Sequence, residues 1–293
     1  LVEKTPVRTT SIEEYTEQET YELEALDSTT SKELVDIVSQ EIVGTSISKI
    51  VTGRLHSIAL TTDGNVFVCG DNSSGQLGLG DKVARNEWTK LNYDANFIDI
   101  AVGSDSSYLI SDNGILFVAG LNSSGQLGIG SKTSINKFIS PNTNDVVKVY
   151  ASNTHTIIKC RDGKIYATGK NSVGQLGLGD TAERTSFTAV PVYNSTKIAV
   201  GEGYTFSLTY DNTLMAVGEN SYGQLGIGST VDQTDWIEVD NITDIKDIQC
   251  GTYHTLVLTN DGKVYATGKN SDSQFGLSPS LSTFTDLGFE AKQ

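Results

Sequence analysis

Cysteine, proline, tryptophan and basic side chains are all scarce in this 293-residue chain, and each scarcity removes a class of protein. The three cysteines, Cys69, Cys160 and Cys250, follow no CxxC or paired spacing, so neither a metal knuckle nor a disulfide framework is expected. No apolar run approaches the roughly 18 residues of a membrane span, which speaks against membrane insertion. Lysine and arginine number 21 against 36 acidic residues, for a net charge of -15. A phosphate backbone is bound by basic surfaces, so a protein partner is expected and direct nucleic-acid binding is not. The first residue is Leu1 rather than methionine and no signal pattern follows it, which leaves localisation open.

What the chain has is a repeat. The block Asn72-Ser73-Ser74-Gly75-Gln76-Leu77-Gly78-Leu79-Gly80 returns from Asn122, Asn171, Asn220 and Asn270. Its glutamines, Gln76, Gln126, Gln175, Gln224 and Gln274, are 50, 49, 49 and 50 residues apart. A period of that length and regularity denotes an array or a propeller. Five units follow: 46–95, 96–145, 146–194, 195–243 and 244–293. Each offers four short β-rich segments bounded by turn residues, beginning in the first unit with 47–52, 56–61, 66–69 and 87–91.

In phase, Ile50 recurs as Ile100, Val149, Ile198 and Ile248, and Ile58 as Tyr108, Ile157, Phe206 and Leu256; both series are expected core positions. Large residues recur in the third segment at Phe67, Phe117, Tyr166, Met215 and Tyr265. A further series, Trp88, Phe138, Phe187, Trp236 and Phe284, occupies the fourth, as stacked sheets require. Asp63-Gly64, Asn113-Gly114, Asp162-Gly163 and Asp261-Gly262 suit tight hairpins, and unit four places Asp211-Asn212 there. The pairs Gly75 and Gln76, Gly125 and Gln126, Gly174 and Gln175, and Gly223 and Gln224, with Gln274 in the last unit, are read as a structural corner. Its glycines supply positive φ and its Asn and Gln bond otherwise unpaired amides.

Residues 1–45 lack the repeat and hold 11 acidic and 3 basic side chains. Thr30 with Glu33, followed by Leu34, Val35, Ile37, Val38, Ile42 and Val43, predicts an amphipathic helix over 31–43. This extension is read as a tether, packed on the repeats or serving an oligomer or assembly contact.

The stretches Gly53 to Leu60, Asp63 to Asn72 and Gly75 to Gly80, recurring five times, resemble the repeat of the regulator of chromosome condensation family over about 85% of the chain. The resemblance implies an all-β fold, a β-propeller with one four-stranded blade per unit. Family members usually have seven blades and five are recognisable here, which leaves a smaller or open ring and a fragment of a larger one as alternatives.

Catalytic chemistry finds little support. The three histidines, His56, His155 and His254, share one phase, but Ser106 and Tyr204 fill it in the other units, which fits a structural hydrogen-bonding site facing the central channel better than a metal site. The glycine blocks match neither dinucleotide nor phosphate-loop spacing, so no cofactor is expected. Variation between units points elsewhere. Arg54-Leu55, Ser104-Asp105, Asn153-Thr154, Glu202 with Tyr204, and Thr252-Tyr253 place different chemistry on one frame, as a binding face does. The expected function is a non-enzymatic propeller that mediates protein–protein interaction, possible as a component of a larger assembly such as a bacterial or virion surface. Two alternatives follow from the resemblance: guanine-nucleotide exchange on a small GTPase, and a proteinaceous inhibitor that caps a target enzyme.

Overall fold

A computed structural model describes residues 46–192, 194–276 and 279–290, with the side chains of the last two of these excepted. The predicted helix over 31–43 lies outside the described residues. The described chain forms twenty strands in five antiparallel sheets, each paired in chain order. The first blade holds β1 (Ile47–Thr52), β2 (His56–Thr61), β3 (Val66–Gly70) and β4 (Arg85–Lys90). The second holds β5 (Phe97–Val102), β6 (Ser106–Ser111), β7 (Leu116–Gly120) and β8 (Ile135–Ile139). The third holds β9 (Val146–Ala151), β10 (His155–Cys160), β11 (Ile165–Gly169) and β12 (Arg184–Ala189). The fourth holds β13 (Ser195–Val200), β14 (Tyr204–Thr209), β15 (Leu214–Gly218) and β16 (Gln233–Glu238). The fifth holds β17 (Ile245–Cys250), β18 (His254–Thr259), β19 (Lys263–Gly268) and β20 (Leu281–Glu290).

The architecture is a β-propeller of five blades, and its cores lie between blades. Ile58, Leu60, Val66 and Val68 of the first blade pack against Phe97, Ile100, Leu109 and Phe138 of the second. The same arrangement recurs at the next three junctions. Strand alternation explains it, since each sheet gives one face to the preceding blade and the other to the following one. No fifth junction of this kind joins the last blade to the first among the described residues. One expectation fails for that reason. Ile50, at a core position by phase, is 59% exposed, whereas Ile100 is 1% exposed, because no described blade precedes the first. Leu256 on the last blade is half-buried for the mirror reason.

Two irregularities recur in every blade. A register shift in the inner strand sits just before Lys49, Asp99, Lys148, Lys197 and Asp247 and re-aims those side chains. A larger shift in the outer strand frees the residues around Trp88, Phe138, Phe187, Trp236 and Phe284 from the ladder. The hairpin position takes positive φ throughout, including 69° at Asn212, the one non-glycine there.

Candidate functional site

Each corner block closes on itself. Asn72 Oδ1 accepts from Leu77 N, and Gln76 Oε1 accepts from Ser74 N. The Asn bond recurs at Asn122, Asn171, Asn220 and Asn270. The Gln bond recurs at Gln126, Gln175, Gln224 and Gln274. The second glycine of each of the first four blocks leaves room for the freed aromatic of the next blade. A Cβ on Gly78 would lie 2.2 Å from the Phe138 ring, and one on Gly177 2.1 Å from the Trp236 indole. Gly75 and Gly125 are likewise pressed against the next blade's outer strand, as are Gly174 and Gly223. The corner therefore closes its own loop and packs against the next blade.

In the first and third blades the histidine phase forms a latch to the next blade. His56 Nε2 lies 3.0 Å from Ser107 Oγ, and that hydroxyl donates to the carbonyl of Gln76 at 2.6 Å. His155 Nε2 meets Thr205 Oγ1 at 3.1 Å, and Thr205 donates to the Gln175 carbonyl. Since the hydroxyl proton goes to the carbonyl, the imidazole donates from Nε2, as a neutral ring protonated there does. Burial agrees, lowering His56 and taking His155 to about 4. In the second blade Ser106 is too short, and Tyr108 reaches Thr156 Oγ1 at 2.7 Å and the Gln126 carbonyl at 3.1 Å instead. In the fourth, Thr255 Oγ1 donates to the Gln224 carbonyl at 2.9 Å and lies 3.3 Å from the Tyr204 hydroxyl. The phase is structural, as the sequence suggests, but it faces the neighbouring blade and not the channel.

The channel is lined by the inner strands of all five blades, around a cavity of about 540 Å³. The bulges carry Lys49, Asp99, Lys148, Lys197 and Asp247, one on each blade, and Lys49, Lys197 and Asp247 line the cavity. Asp99 bridges Lys49 at 2.5 Å and Lys148 at 2.9 Å, and Asp247 bridges Lys197 at 2.9 Å. Burial raises the Asp99 carboxyl, but the bonds and charges of the two lysines outweigh it and hold the group below the usual carboxylate range. This charged ring escaped the sequence reading, although it stands one residue before the Ile50 phase.

At one mouth of the channel stand the variable loops. Arg54 makes a fork to Asp105, with its Nη2 at 3.0 and 3.1 Å from the two carboxylate oxygens, and Arg54 N donates to the Ser104 carbonyl. Asn153 donates to the Glu202 carboxylate at 3.2 Å, and Thr154 Oγ1 to its carbonyl at 3.4 Å. Burial raises the Glu202 carboxyl above its ordinary value. The loops are thus tied in pairs, with Arg54, Leu55 and Thr252 exposed and Tyr253 half-buried. Tyr204 must be removed from the face: it is fully buried, and its hydroxyl donates to the carbonyl of His254 at 2.6 Å with that of Gly251 3.0 Å away. Two residues outside the loop ring join it. The Tyr222 ring stands 5.1 Å from that of Tyr253, and Lys269 Nζ sits 5.8 and 5.9 Å from the two centroids. Tyr222 fills the variable position of its corner block, where the other units have Ser74, Ser124, Val173 and Asp272, and that difference was the signal available in the sequence.

Residues 14–287 match the family model of the RCC1-like domain. The chain belongs to the RCC1-like domain family. Among solved structures, this RCC1-like chain is similar to yeast RCC1 (Prp20) bound to Kap60, with 18% identity and a TM-score of 0.77 over 84% of this chain and 62% of that one. Prp20p from Saccharomyces cerevisiae, in a study of its binding to Gsp1p and histones, aligns at 19% identity and a TM-score of 0.76, covering 84% and 64%. Human WBSCR16 aligns at 22% identity and a TM-score of 0.71, covering 84% and 68%. The chain thus spans less than two thirds of the length of either yeast structure. No curated protein sequence matches it. At these identities the likeness carries the fold.

Proposed function

We propose that this RCC1-like propeller is a non-enzymatic protein-binding module that engages its partner through the loop face at the channel mouth. The carrying observation is the Tyr222–Tyr253 pair under Lys269 at the rim of that face, with Arg54 and Leu55 exposed on the first blade. Tyrosine and arginine are enriched among the residues that dominate binding energetics, tyrosine because it offers large contact area and a polar end with few rotamers to fix. Tying the loops together through Arg54–Asp105 and Asn153–Glu202 lowers the ordering cost on association. Prp20 was crystallised with Kap60 and studied with Gsp1p and histones, which supports a protein partner for a relative of the same fold.

Nucleotide exchange on a small GTPase is the second reading, and the relation to RCC1 favours it over the inhibitor reading. The two separate cleanly. Cross-linking of bound protein to the wild-type chain and to a Tyr222→Ala/Tyr253→Ala variant tests the face: capture that survives the double substitution and is lost on altering the opposite face would refute it. Fluorescent-nucleotide release from a GTPase panel tests exchange, and no acceleration would remove that reading.

A further inference from the structure

The corner glutamines differ in one bond. Gln76 donates from Nε2 to Asp71 at 2.8 Å, Gln126 to the Asn153 carbonyl at 3.1 Å and Gln274 to Asp272 at 3.2 Å. Gln224 is fully buried, and its Nε2 has no partner. Glu219, at the phase of Asp71, accepts from Ser221 Oγ and lies over Gly203, where an added Cβ would stand 2.9 Å from its Oε2. Thr252, at the phase of Asn153, leaves its carbonyl unused by this amide. A buried donor left so is costly, and an acceptor that reaches it recovers a hydrogen bond. The donor lies beneath the aromatic rim. Tyr222 N donates to Gln224 Oε1 at 2.9 Å, and a Cβ on Gly268, the residue before Lys269, would stand 3.2 Å from Gln224 Cα. The Tyr222 and Tyr253 rings are tilted by 50° at 5.1 Å, with Lys269 against both. An exposed tyrosine pair thus stands over an unsatisfied N–H.

We propose that this notch takes an extended, proline-containing segment of a protein partner, whose backbone carbonyl accepts from Gln224 Nε2 while a proline ring packs on Tyr222 and Tyr253. That occupant presupposes the loop face as the docking surface and gives its partner a chemistry. Polyproline II segments carry backbone carbonyls with no internal hydrogen bonds, and aromatic-lined grooves are the surfaces that bind them. Tyr222, 42% exposed, is the ring that turns outward to admit the carbonyl. A carboxylate is the poorer occupant, because Lys269 already faces Asp272 at 3.3 Å and the chain carries a net charge of -15.

The test titrates the full chain with end-blocked peptides of equal length, a decaproline, a glycine–serine repeat and a decaglutamate, and follows the side-chain amide signals by NMR. Decaproline is expected to saturate the chain and to move the Gln224 Nε2 protons downfield, while those of Gln126, which already donate, hold still. Tyr222→Ala with Tyr253→Ala should weaken it about tenfold, and Gln224→Met about fivefold. No saturation by decaproline, equal binding of the glycine–serine repeat, or preference for decaglutamate would each overturn the proposal. Should Gln224→Met fail to fold, the wild-type signals decide, and decaproline bound with Gln224 unmoved overturns the carbonyl bond. Cross-linking of a partner that persists in the double tyrosine variant would remove the loop-face reading even where decaproline binds. Cross-linking lost there, with no decaproline binding, would overturn the proline segment alone.

Discussion

His155 and Thr205 meet at 3.1 Å across the junction of the third and fourth blades, with the imidazole donating and the hydroxyl passing its own proton to Gln175. Both side chains are buried, so the contact tolerates neither an added charge nor a lost partner. From that follows a pH dependence whose sign is fixed. The folded protein keeps His155 neutral down to about pH 4, whereas the unfolded chain protonates it near 6.5. Between those values the unfolded state binds more protons, so stability is full above 6.5 and falls as the pH drops toward 4. The loss at pH 5 is about 2 kcal/mol. Urea midpoints at pH 7 and pH 5 measure it, and His155→Gln should flatten the difference even as it lowers stability at pH 7. A wild-type midpoint that does not move would contradict this assignment.

The second blade solves the same junction with other residues, and the substitution pair is testable. Blades one and three pair a histidine with an isoleucine two residues on, His56 with Ile58 and His155 with Ile157, whereas blade two pairs Ser106 with Tyr108. Tyr108→Ile alone leaves Thr156 and Ser106 without their buried partner and should cost about 2 kcal/mol. Ser106→His with Tyr108→Ile rebuilds the histidine latch, and Gly103 leaves space for the ring as Gly53 does for His56. Thermal unfolding of the single and double variants should show recovery of at least half the loss. Additive losses would mean that the two solutions are not interchangeable.

Glycines at one phase separate strain from packing. Gly177 and Gly276 have φ of 65° and 73°, so alanine costs each about 1–2 kcal/mol of backbone strain. Only Gly177 faces a ring, the Trp236 indole, while a Cβ on Gly276 meets nothing within 4 Å. Gly177→Ala should therefore lose clearly more stability than Gly276→Ala in urea titration, and equal losses would show that the aromatic moves aside freely.

How much of this was legible in the sequence follows from what the repeat averages. The corner glycines, the hairpin φ at Asn212 and the four strands per blade are local and recur, so five copies reinforced one reading. Ile50 misled because its phase carries the burial of an internal blade, and no described blade precedes the first to supply that burial. The Lys49–Asp99–Lys148 bridges were hidden by a bulge, which turns a residue that strict alternation would place elsewhere toward the channel. Tyr204 stood in the histidine series by phase and was also assigned to the binding face, yet its hydroxyl reaches two carbonyls inside the junction, and no spacing rule distinguishes a tyrosine that points in from one that points out.

The loop face yields the last prediction. Arg54 is exposed and held by Asp105, so charge reversal at Asp105 would disturb a contact within the protein, whereas Tyr222 and Leu55 are bound less tightly by their own fold. Tyr222 is 42% exposed, and its ring meets only Tyr253 and the Lys269 ammonium among its ring contacts. Truncating it to alanine should change the melting temperature by no more than about 2 °C, since exposed substitutions cost within about 0.5 kcal/mol. The same change should weaken partner binding by tenfold or more if the tyrosine is an anchor, because anchors cost about 2 kcal/mol or more on truncation. Leu55→Ser, on the first blade, should weaken it less. Calorimetric titration of a captured partner with both variants checks the order, and binding that falls only when Asp105 or Glu202 is altered would place recognition in the paired loops instead of at the aromatic rim.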